Sequence, residues 1–590
     1  MLAVVLAAAA VAVSQATAHV ERASYWPNPA PDRSVKPPTG GKVPKARSLY
    51  TALDRKPAGT TRVVCQDSSI SRLRKAIGKA RTEGYKLRPS ERARHISKSQ
   101  GRRLLAFNRR LRAKCRFASI QEAVDRSGNN DRVVIMPGLY TEPESRAAPT
   151  QDPRCADLKQ LNDRQDQTGA SQSGAVSYAY QVKCPNDQNL IAVIGRANGK
   201  GTDPQPPRDD RHGIPNLGPC IRCNLQLEGS GVGPDDVIID GGRVASGNKG
   251  PIGAKKDVGI RADRADGFVL RNMTVRHVNE HAIYVLEADG YRLERFKAFY
   301  AGEYGVLTFV EDHGLMQNCE AAGHGDSGLY PGAGAEGGDQ RKSGPRRYTQ
   351  EIRFCDMHHN TGGYSGTDGN SVWVHHNDFY DNALGFTTDV FTAAGHPGFP
   401  QDSDLIENNE FYSNNFNVYA SGSDVEPTIP VPVGTGMWIA GGNHNIVRRN
   451  RFWNNWRRGA MLFAVPDGFV CSPPLHQAGC DPAKLSTSHN NRFYGNVMGR
   501  TPKGRRDPNG TDFWWDEFDK TRGNCWRDNT GSRGTRKSVT SDPVSLPSNC
   551  KSSSGKGNDE NYGELVTCAT APEGDPTTGC PWFTTPREPK

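Results

Sequence analysis

The chain has 590 residues, a formal net charge of +11, 35% hydrophobic residues and 64 glycines. Its mean hydropathy of −0.68 is apolar-poor for a compact α/β enzyme of this size, and fits a narrow core with many polar turns. Beyond the first residues no apolar run approaches membrane length, which excludes a helical membrane span.

Met1 to Val13 form an apolar run, and Ala16-Thr17-Ala18 follows it with an Ala-x-Ala pattern. This predicts a secretory signal peptide over 1–18, cut after Ala18, and a soluble exported product. Residues 19–60, rich in Pro, Gly and basic side chains, read as a disordered leader. Residues 61–116 form a basic helical region, with Ser71-Arg-Leu-Arg-Lys75 and Arg109-Arg-Leu-Arg-Ala-Lys114 and helical apolar spacing at Leu104, Phe107 and Leu111. Such a face is a solvated surface or holds an acidic polymer by charge; in an exported protein that polymer is a wall polysaccharide rather than nucleic acid.

From residue 117 the pattern changes. Phe117-Ala-Ser-Ile-Gln-Glu-Ala-Val-Asp125 predicts an amphipathic helix, Val133-Val-Ile-Met136 a strand, and Pro137-Gly-Leu-Tyr-Thr-Glu142 closes the unit. Asn224-Leu-Gln-Leu-Glu-Gly-Ser-Gly231 and Val237-Ile-Ile-Asp-Gly241 add further short strands. Segments 143–188, 196–219, 331–347 and 390–403 read as inserted loops. Between Val258 and residue 500, Asn-x-Phe-[Tyr/Trp]-x-Asn recurs at Asn377–Asn382, Asn409–Asn414, Asn450–Asn455 and Asn491–Asn496. A phrase this short that repeats predicts a solenoid. Its Phe residues are expected to stack as one interior column and its turn Asn residues to hydrogen-bond along the axis. Asn272, Arg295 and Asn318 fall in the same register, setting a basic coil of about 22–23 residues with loops inserted.

One column of strands includes Ala282–Leu286, Gly305–Phe309, Gly328–Tyr330, Gly363–Ser365, Gly385–Asp389, Asn417–Tyr419 and Gly436–Ile439. Period-2 alternation sends Ile283, Val306, Leu329, Tyr364, Phe386, Val418 and Met437 inward, and Tyr284, Leu307, Tyr330, Ser365, Thr387, Tyr419 and Trp438 outward. Residues 501–590 read as a Cys-containing C-terminal cap over the last coil, whose edge is otherwise open to aggregation.

The helix, strand and Pro-Gly-x-Tyr-x-Glu sequence, together with the early coils and the repeats, resembles the right-handed parallel β-helix family of pectin-lyase-like proteins over residues 117–500. The resemblance implies an all-β solenoid whose N-terminal helix caps the coil. It does not imply one activity, because the family holds lyases, hydrolases, esterases, epimerases and adhesins. Asn524-Cys-Trp, Ser541-Asp-Pro and Leu546-Pro-Ser-Asn-Cys550 resemble tails of β-helix proteins secreted by actinobacteria.

Fourteen cysteines in an exported chain predict disulfides, and sequential pairing gives Cys65/Cys115, Cys155/Cys184, Cys220/Cys223, Cys319/Cys355, Cys471/Cys480, Cys525/Cys550 and Cys568/Cys580. Cys319 and Cys355 sit at matching coil positions and would staple rung to rung. A zinc site at Cys220-x-x-Cys223 lacks a second ligand pair.

Candidate chemistry gathers on the outward column. Tyr330, Tyr419 and Trp438 form an aromatic strip suited to sugar rings. Asp368, Asp389 and Asp424 lie just past it, as paired carboxylates for glycoside cleavage or as calcium ligands; the competing reading is Asp at β-helix turns for conformational reasons. The loop after Asp389 brings His396, and Arg346 and Arg347 would bring cations to the rim. Asp389 is the favoured catalytic residue, with Asp368, His396 and Asp326 beside it. Gly323-His324-Gly325 echoes polygalacturonases, but the order of the surrounding acidic motifs does not match theirs. We therefore expect a monomeric, secreted β-helix acting on an extracellular or wall polysaccharide as a lyase or hydrolase, or alternatively binding one without catalysis.

Overall fold

The structure is a computed structural model that describes residues 35–54, 59–142, 153–155, 178–197, 218–242, 256–334, 347–391, 400–465, 488–551, 553–569, 571, 574–575 and 578–590. The signal peptide, Cys471, Cys480, His396 and Arg346 lie outside these residues.

Each strand pairs in parallel with the equivalent strand one coil before and one coil after. Asp289–Ala301 lies between Phe268–Val278 and Asp312–Ala322, with Tyr291 opposite Phe268 and Gly314. Parallel pairing with short crossovers throughout gives a right-handed β-helix with three faces. In the early coils one long strand covers the first two faces and bends between them. In later coils it divides, as in Val372–His375 and Asp378–Tyr380, both of which pair with Gln350–His358. The third face is an 11-stranded sheet running from Asn189–Ile194 to Ser541–Asp542.

The corners are made by single residues in the left-handed region. Between the first two faces stand Asn272, Arg295, Asn318, Phe354, His376, Asn408 and Arg449, with φ between 53° and 59°. Each costs about 1–2 kcal/mol for a residue with a Cβ, and the continued strand pairing on both sides holds it there. The spacing of Asn272, Arg295 and Asn318 is as expected, but their column continues through His376; Asn377 stands one position further on.

The interior is a set of columns. The aromatic one runs Phe379, Phe411, Phe452, with ring centroids 4.7 Å apart at each step, close to the ~4.8 Å between rungs. Upstream it continues as Met357 and Ala321, and downstream as Met498. The fourth repeat does not join it. Phe493 lies opposite Val447 and stacks on Trp526 at 5.3 Å, in the first-face column of Ile352, Val374 and Ile406. The cause is the next Asn ladder. Asn377, Asn409, Asn450, Asn496 and Asn529 bond in sequence, each Oδ1 accepting the backbone N–H of the residue before it. A second ladder runs Asn360, Asn382, Asn414, Asn455, Asn509. A third runs Asn445, Asn491, Asn524. The fourth copy's first Asn therefore belongs to the third ladder and its last Asn to the first. Cys319 and Cys355 occupy the upstream end of the first ladder, where Cys355 N–H donates to Asn377 Oδ1.

Pairing extends beyond 117–500 at both ends. Thr61–Val64 pairs with Arg132–Ile135, and Cys525–Arg527 with Arg492–Tyr494. The helix Ile120–Asp125 plugs the N-terminal end, with Ile120, Ala123 and Val124 fully buried and Gln121 bonding both sides of Ala192 in the first third-face strand. Helices Ser69–Thr82 and Lys98–Lys114 pack outside it through Leu73, Leu104, Phe107 and Leu111. The C-terminal tail is not an end cap alone. Leu565, Cys568, Trp582 and Phe583 pack along the third face on Trp438, Phe463 and Trp514, and Arg458 pairs with Glu564.

Six of the expected disulfides are present among the described residues, and none of the described cysteines is free. Three of them sit in surroundings that differ from the sequence expectation. Cys115 is not inside a helical region: it is the extended residue that ends helix Lys98–Lys114, and its bond to Cys65 ties that helix to the first strand, Thr61–Val64. Cys184 is not in a loop. It separates the short helices Tyr178–Lys183 and Pro185–Gln188, directly before the first third-face strand, and its partner Cys155 is buried. Cys580 does not close the end of the last coil. Bonded to Cys568 at the end of helix Asp559–Ala569, it precedes the turn Pro581–Phe583, where its Sγ accepts the Trp582 N–H at 3.4 Å and both cysteines are buried against the third face. These two bridges at the N-terminal side brace its capping segments, whereas the Cys568–Cys580 bridge holds Trp582 on the sheet. Cys525–Cys550 is the bond that stays at the last coil, on the final first-face strand.

Candidate functional site: an acidic and aromatic groove on the second face

The sequence-favoured face is closed. Asp389 and Asp368 do meet on neighbouring rungs, where the Asp368 N–H donates to the Asp389 carbonyl at 3.0 Å. Both side chains are buried, however, and the Asp389 carboxylate accepts from Thr387 Oγ1 at 3.0 Å and Phe391 N–H at 3.2 Å. Burial, reinforced by Asp368, pushes its pKa up to about 6. Tyr330 is buried on Tyr304, with its hydroxyl donating to the Thr367 carbonyl; Asp326 is buried against Tyr304 as well.

Trp438 faces outward as expected but lies beneath the tail, 5.4 Å from Trp582 and with its indole N–H on Thr387. Tyr419 is not on a rung. Leu384–Asp389 pairs directly with Thr435–Ala440, which leaves Asn417–Tyr419 in a turn where Val418 and Tyr419 pack toward the tail. Asp424 is equally displaced, bonding His359 at 2.7 Å and Tyr300 at 3.1 Å in a corner of the second face. The three-aspartate calcium group is therefore divided. Arg347 pairs with Asp312. His324 is a ladder residue: it accepts from Ala301 N–H, donates to Ala298 O, and burial takes its pKa down to about 3. Among the described residues the one cluster with metal-ligand spacing is Cys220, Cys223 and Asp266, and its two sulfurs form a disulfide.

The open chemistry is on the second face. Alternation about the column Met357, Phe379, Phe411, Phe452 turns the flanking residues outward. One outward row runs Lys297, Glu320, Asp356, Asp378, Glu410, Arg451. The other runs His358, Tyr380, Tyr412, Trp453, stacked at 5.0, 5.1 and 4.4 Å with interplanar angles of 12°, 9° and 5°. Because each ring covers its neighbour's face, the row presents edges and polar tips. The Tyr380 and Tyr412 hydroxyls and the Trp453 indole N–H have no protein partner among the described residues. Burial and the adjacent carboxylates drive both phenol pKa values up, so these groups stay protonated donors.

Walls bound the row. On the upstream side the loop 85–94, closed by reciprocal backbone bonds of Tyr85 and Arg94, lays Arg88 and Ser90 on the carboxylates. Arg88 Nη1 donates to Asp356 at 2.8 Å and Asp378 at 2.7 Å, and Ser90 Oγ to the same two at 2.8 and 3.0 Å. On the downstream side the loop 499–508 takes the Arg451 guanidinium on the carbonyls of Arg500 and Thr501 and the Asn454 N–H on Asp507 O. His359, stacked on Phe416 at 4.2 Å, makes the side.

The three carboxylates are not alike. Asp356 is enclosed, held by Arg88 and by Ser90 N–H at 2.6 Å, and burial with Asp378 beside it lifts its pKa to about 6. Asp378 is bound to Arg88 and remains partly accessible. Glu410 has a buried Oε2 without a hydrogen-bond partner, its nearest cation being Arg451 Nε at 3.8 Å. Burial pushes its pKa up to about 7, with Arg451 opposing and Asp378 adding to the rise. A carboxyl group raised toward neutrality thus adjoins one paired with a cation. Their sequence signal was the variable positions of the repeat itself: Asp378, Glu410 and Arg451 fill its x, and Tyr380, Tyr412 and Trp453 its second aromatic place. Asp356 lies in the preceding coil, and Arg88 comes from a region with no repeat to announce it.

Residues 258–500 match the family model described as "Right handed beta helix region". No curated protein matches the sequence. Among solved structures the chain is similar to the A-module of the Azotobacter vinelandii mannuronan C-5 epimerase AlgE6, at 12% identity and TM-score 0.35, covering 72% of this chain and 94% of that one. It is similar to the periplasmic alginate epimerase AlgG at 10% identity and TM-score 0.32, covering 58% and 68%, and to pectate lyase Pel9A at 10% identity and TM-score 0.31, covering 82% and 81%.

Proposed function

We propose that this right-handed β-helix is a secreted protein that cleaves a polysaccharide along its second face, with Glu410 as general acid and Asp378 as the partner carboxylate. The observation that carries the reading is the difference between these two neighbours. Glu410 is half-buried, with its Oε2 unpartnered and its nearest cation, Arg451 Nε, 3.8 Å away, and its pKa is raised toward neutrality, while Asp378 is tied to the Arg88 guanidinium. Two adjacent carboxyl groups, one raised toward neutrality and the other paired with a cation, suit the acid and partner roles of glycoside cleavage.

The row of Tyr380, Tyr412 and Trp453 supports a sugar polymer as ligand, since uncommitted donors on an apolar floor recur at one coil's rise, roughly 4.8 Å. Secretion is supported by the six disulfides. The test is release of reducing ends from a panel of polysaccharides, compared with release of unsaturated products, for the full chain and for Glu410→Gln. Loss of general acid catalysis is expected to lower turnover by about 10²–10⁴-fold with the melting temperature preserved. Unsaturated products, or an unaffected variant, would remove Glu410 from the chemistry.

A non-catalytic binding surface is the second reading, favoured by Arg88 and Ser90 already lying on Asp356 and Asp378. Retention of a polysaccharide without any product would establish it.

A further inference from the structure

Resting on the glycoside-cleaving reading of this same groove, we infer that Asp378 is a nucleophile, that cleavage retains the anomeric configuration, and that the substrate is an uncharged glycan. Retention follows from the rung spacing. Asp378 and Glu410 are register partners on adjacent parallel strands and project from the same side of the sheet, which sets their backbones about 4.8 Å apart and favours a short span between their carboxyl groups. Retaining enzymes hold their carboxyl pair ~5–5.5 Å apart; inverting enzymes need ~6.5–9.5 Å to admit a water between carboxylate and sugar. Asp356, two rungs from Glu410, would suit the longer span. Its side chain is fully enclosed, however, and takes three hydrogen bonds from Arg88 and Ser90, so it meets no substrate. Only the short pair is left.

The stacked row supplies an independent pointer to a sugar. Three donors without partners stand two residues further along the strands that carry the carboxyl groups and their neighbour Arg451.

An uncharged glycan follows from the state of the cations. Arg88 is committed to Asp356 and Asp378, Lys297 to Asp235 and Glu320, and the Arg451 guanidinium to the carbonyls of Arg500 and Thr501. A uronate carboxylate laid over Asp378 and Glu410 would meet two acidic groups, answered only by Arg451, whose Nη1 already donates to the loop carbonyls and whose Nε lies 3.8 Å from Glu410.

In the first half-reaction an Asp378 carboxylate oxygen attacks the anomeric carbon. The glycosidic C–O bond breaks, and the Glu410 proton passes to the departing oxygen. In the second, Glu410, now a carboxylate, takes a proton from water, whose oxygen attacks the same carbon and releases Asp378. One water is consumed, and one hemiacetal and one alcohol are formed.

The experiment takes the full chain with mixed-linkage β-glucan, xylan, glucomannan and dextran, and with polygalacturonate and alginate as charged comparators. On whichever uncharged glycan yields reducing ends, proton NMR in the first minutes reads the anomer released. Retention is expected, and inversion would overturn this inference while leaving the hydrolase reading standing. Asp378→Gly is expected to lose turnover and to recover it with added azide, giving a glycosyl azide of the opposite configuration. Asp378→Asn serves the same purpose should the glycine variant fold poorly, with loss of turnover and a native circular dichroism spectrum expected. Turnover of the polyuronates alone would overturn the uncharged-glycan assignment. No reducing ends from any polymer would overturn the proposed function and this inference together.

Discussion

Asn450 donates its backbone N–H to Asn496 Oδ1 at 3.0 Å and its side-chain amide to the same oxygen at 3.3 Å. Asn450 is the first residue of its repeat and Asn496 the last of the next. The strand register therefore follows the amide ladder rather than the alignment of the phrase. At each rung the Asn side chain satisfies a buried corner N–H and a buried carbonyl that no strand partner can reach.

Asn450→Ala removes the acceptor of the Asn409 N–H and side-chain amide and the donor to the Ile406 carbonyl. Leaving these groups buried and unpaired costs about 3 kcal/mol or more. Guanidinium denaturation should show a lowered midpoint at unchanged slope. A loss below about 1 kcal/mol would mean that water replaces the ladder bond.

The Cys319–Cys355 bridge closes a 36-residue separation within the same ladder. Chain-entropy arguments give about 4 kcal/mol for such a loop. The double variant Cys319→Ser, Cys355→Ser should lose stability of that order in the oxidised protein. Differential scanning calorimetry with and without reductant checks it: reductant should lower the variant's melting temperature less than the wild type's.

Asp389 bears on stability through pH. Its folded pKa, about 6, stands above the ordinary carboxylate value of 3.8, so the folded chain binds this proton more tightly than the unfolded chain. Its contribution favours folding below about pH 4 and is lost as pH rises to about 6; the difference corresponds to roughly 3 kcal/mol. Asp389→Asn should abolish this slope and leave the protein more stable near neutrality. Melting temperatures of both proteins between pH 4 and 7 check this, and parallel curves for the two would count against it.

Tyr412→Phe keeps the stacked ring and removes one donor from the groove. Losing one hydrogen bond to a sugar weakens binding by about 1 kcal/mol, roughly fivefold, and should appear in KM with kcat and melting temperature little changed. Equal KM values for wild type, Tyr380→Phe and Tyr412→Phe would show that substrate does not cross these hydroxyls.

The chain's own pattern dictates the solenoid, because a coil can repeat only if equivalent residues accept their own kind as neighbours; Asn on Asn and Phe on Phe write that condition into the chain at short range. It also determined the disulfide partners the structure shows, and the alternation that turns Tyr284, Tyr330 and Trp438 away from the core. It did not determine where those bridges act: Cys115, Cys184 and Cys580 each pair as the order of cysteines predicts, yet the helix ends and the sheet face they brace are set by tertiary packing. Nor did it determine which outward face stays open. Burial of Trp438 depends on Trp582, far along the chain, and closure of Asp356 depends on Arg88, farther still in the other direction. The slip of the fourth repeat to another ladder was likewise undetermined, since the phrase fits both corners and the lengths of the intervening loops decide between them. Local pattern fixes what a coil is, whereas the contacts that select a groove and set its carboxyl pKa values join residues hundreds of positions apart, and only the folded chain brings those together.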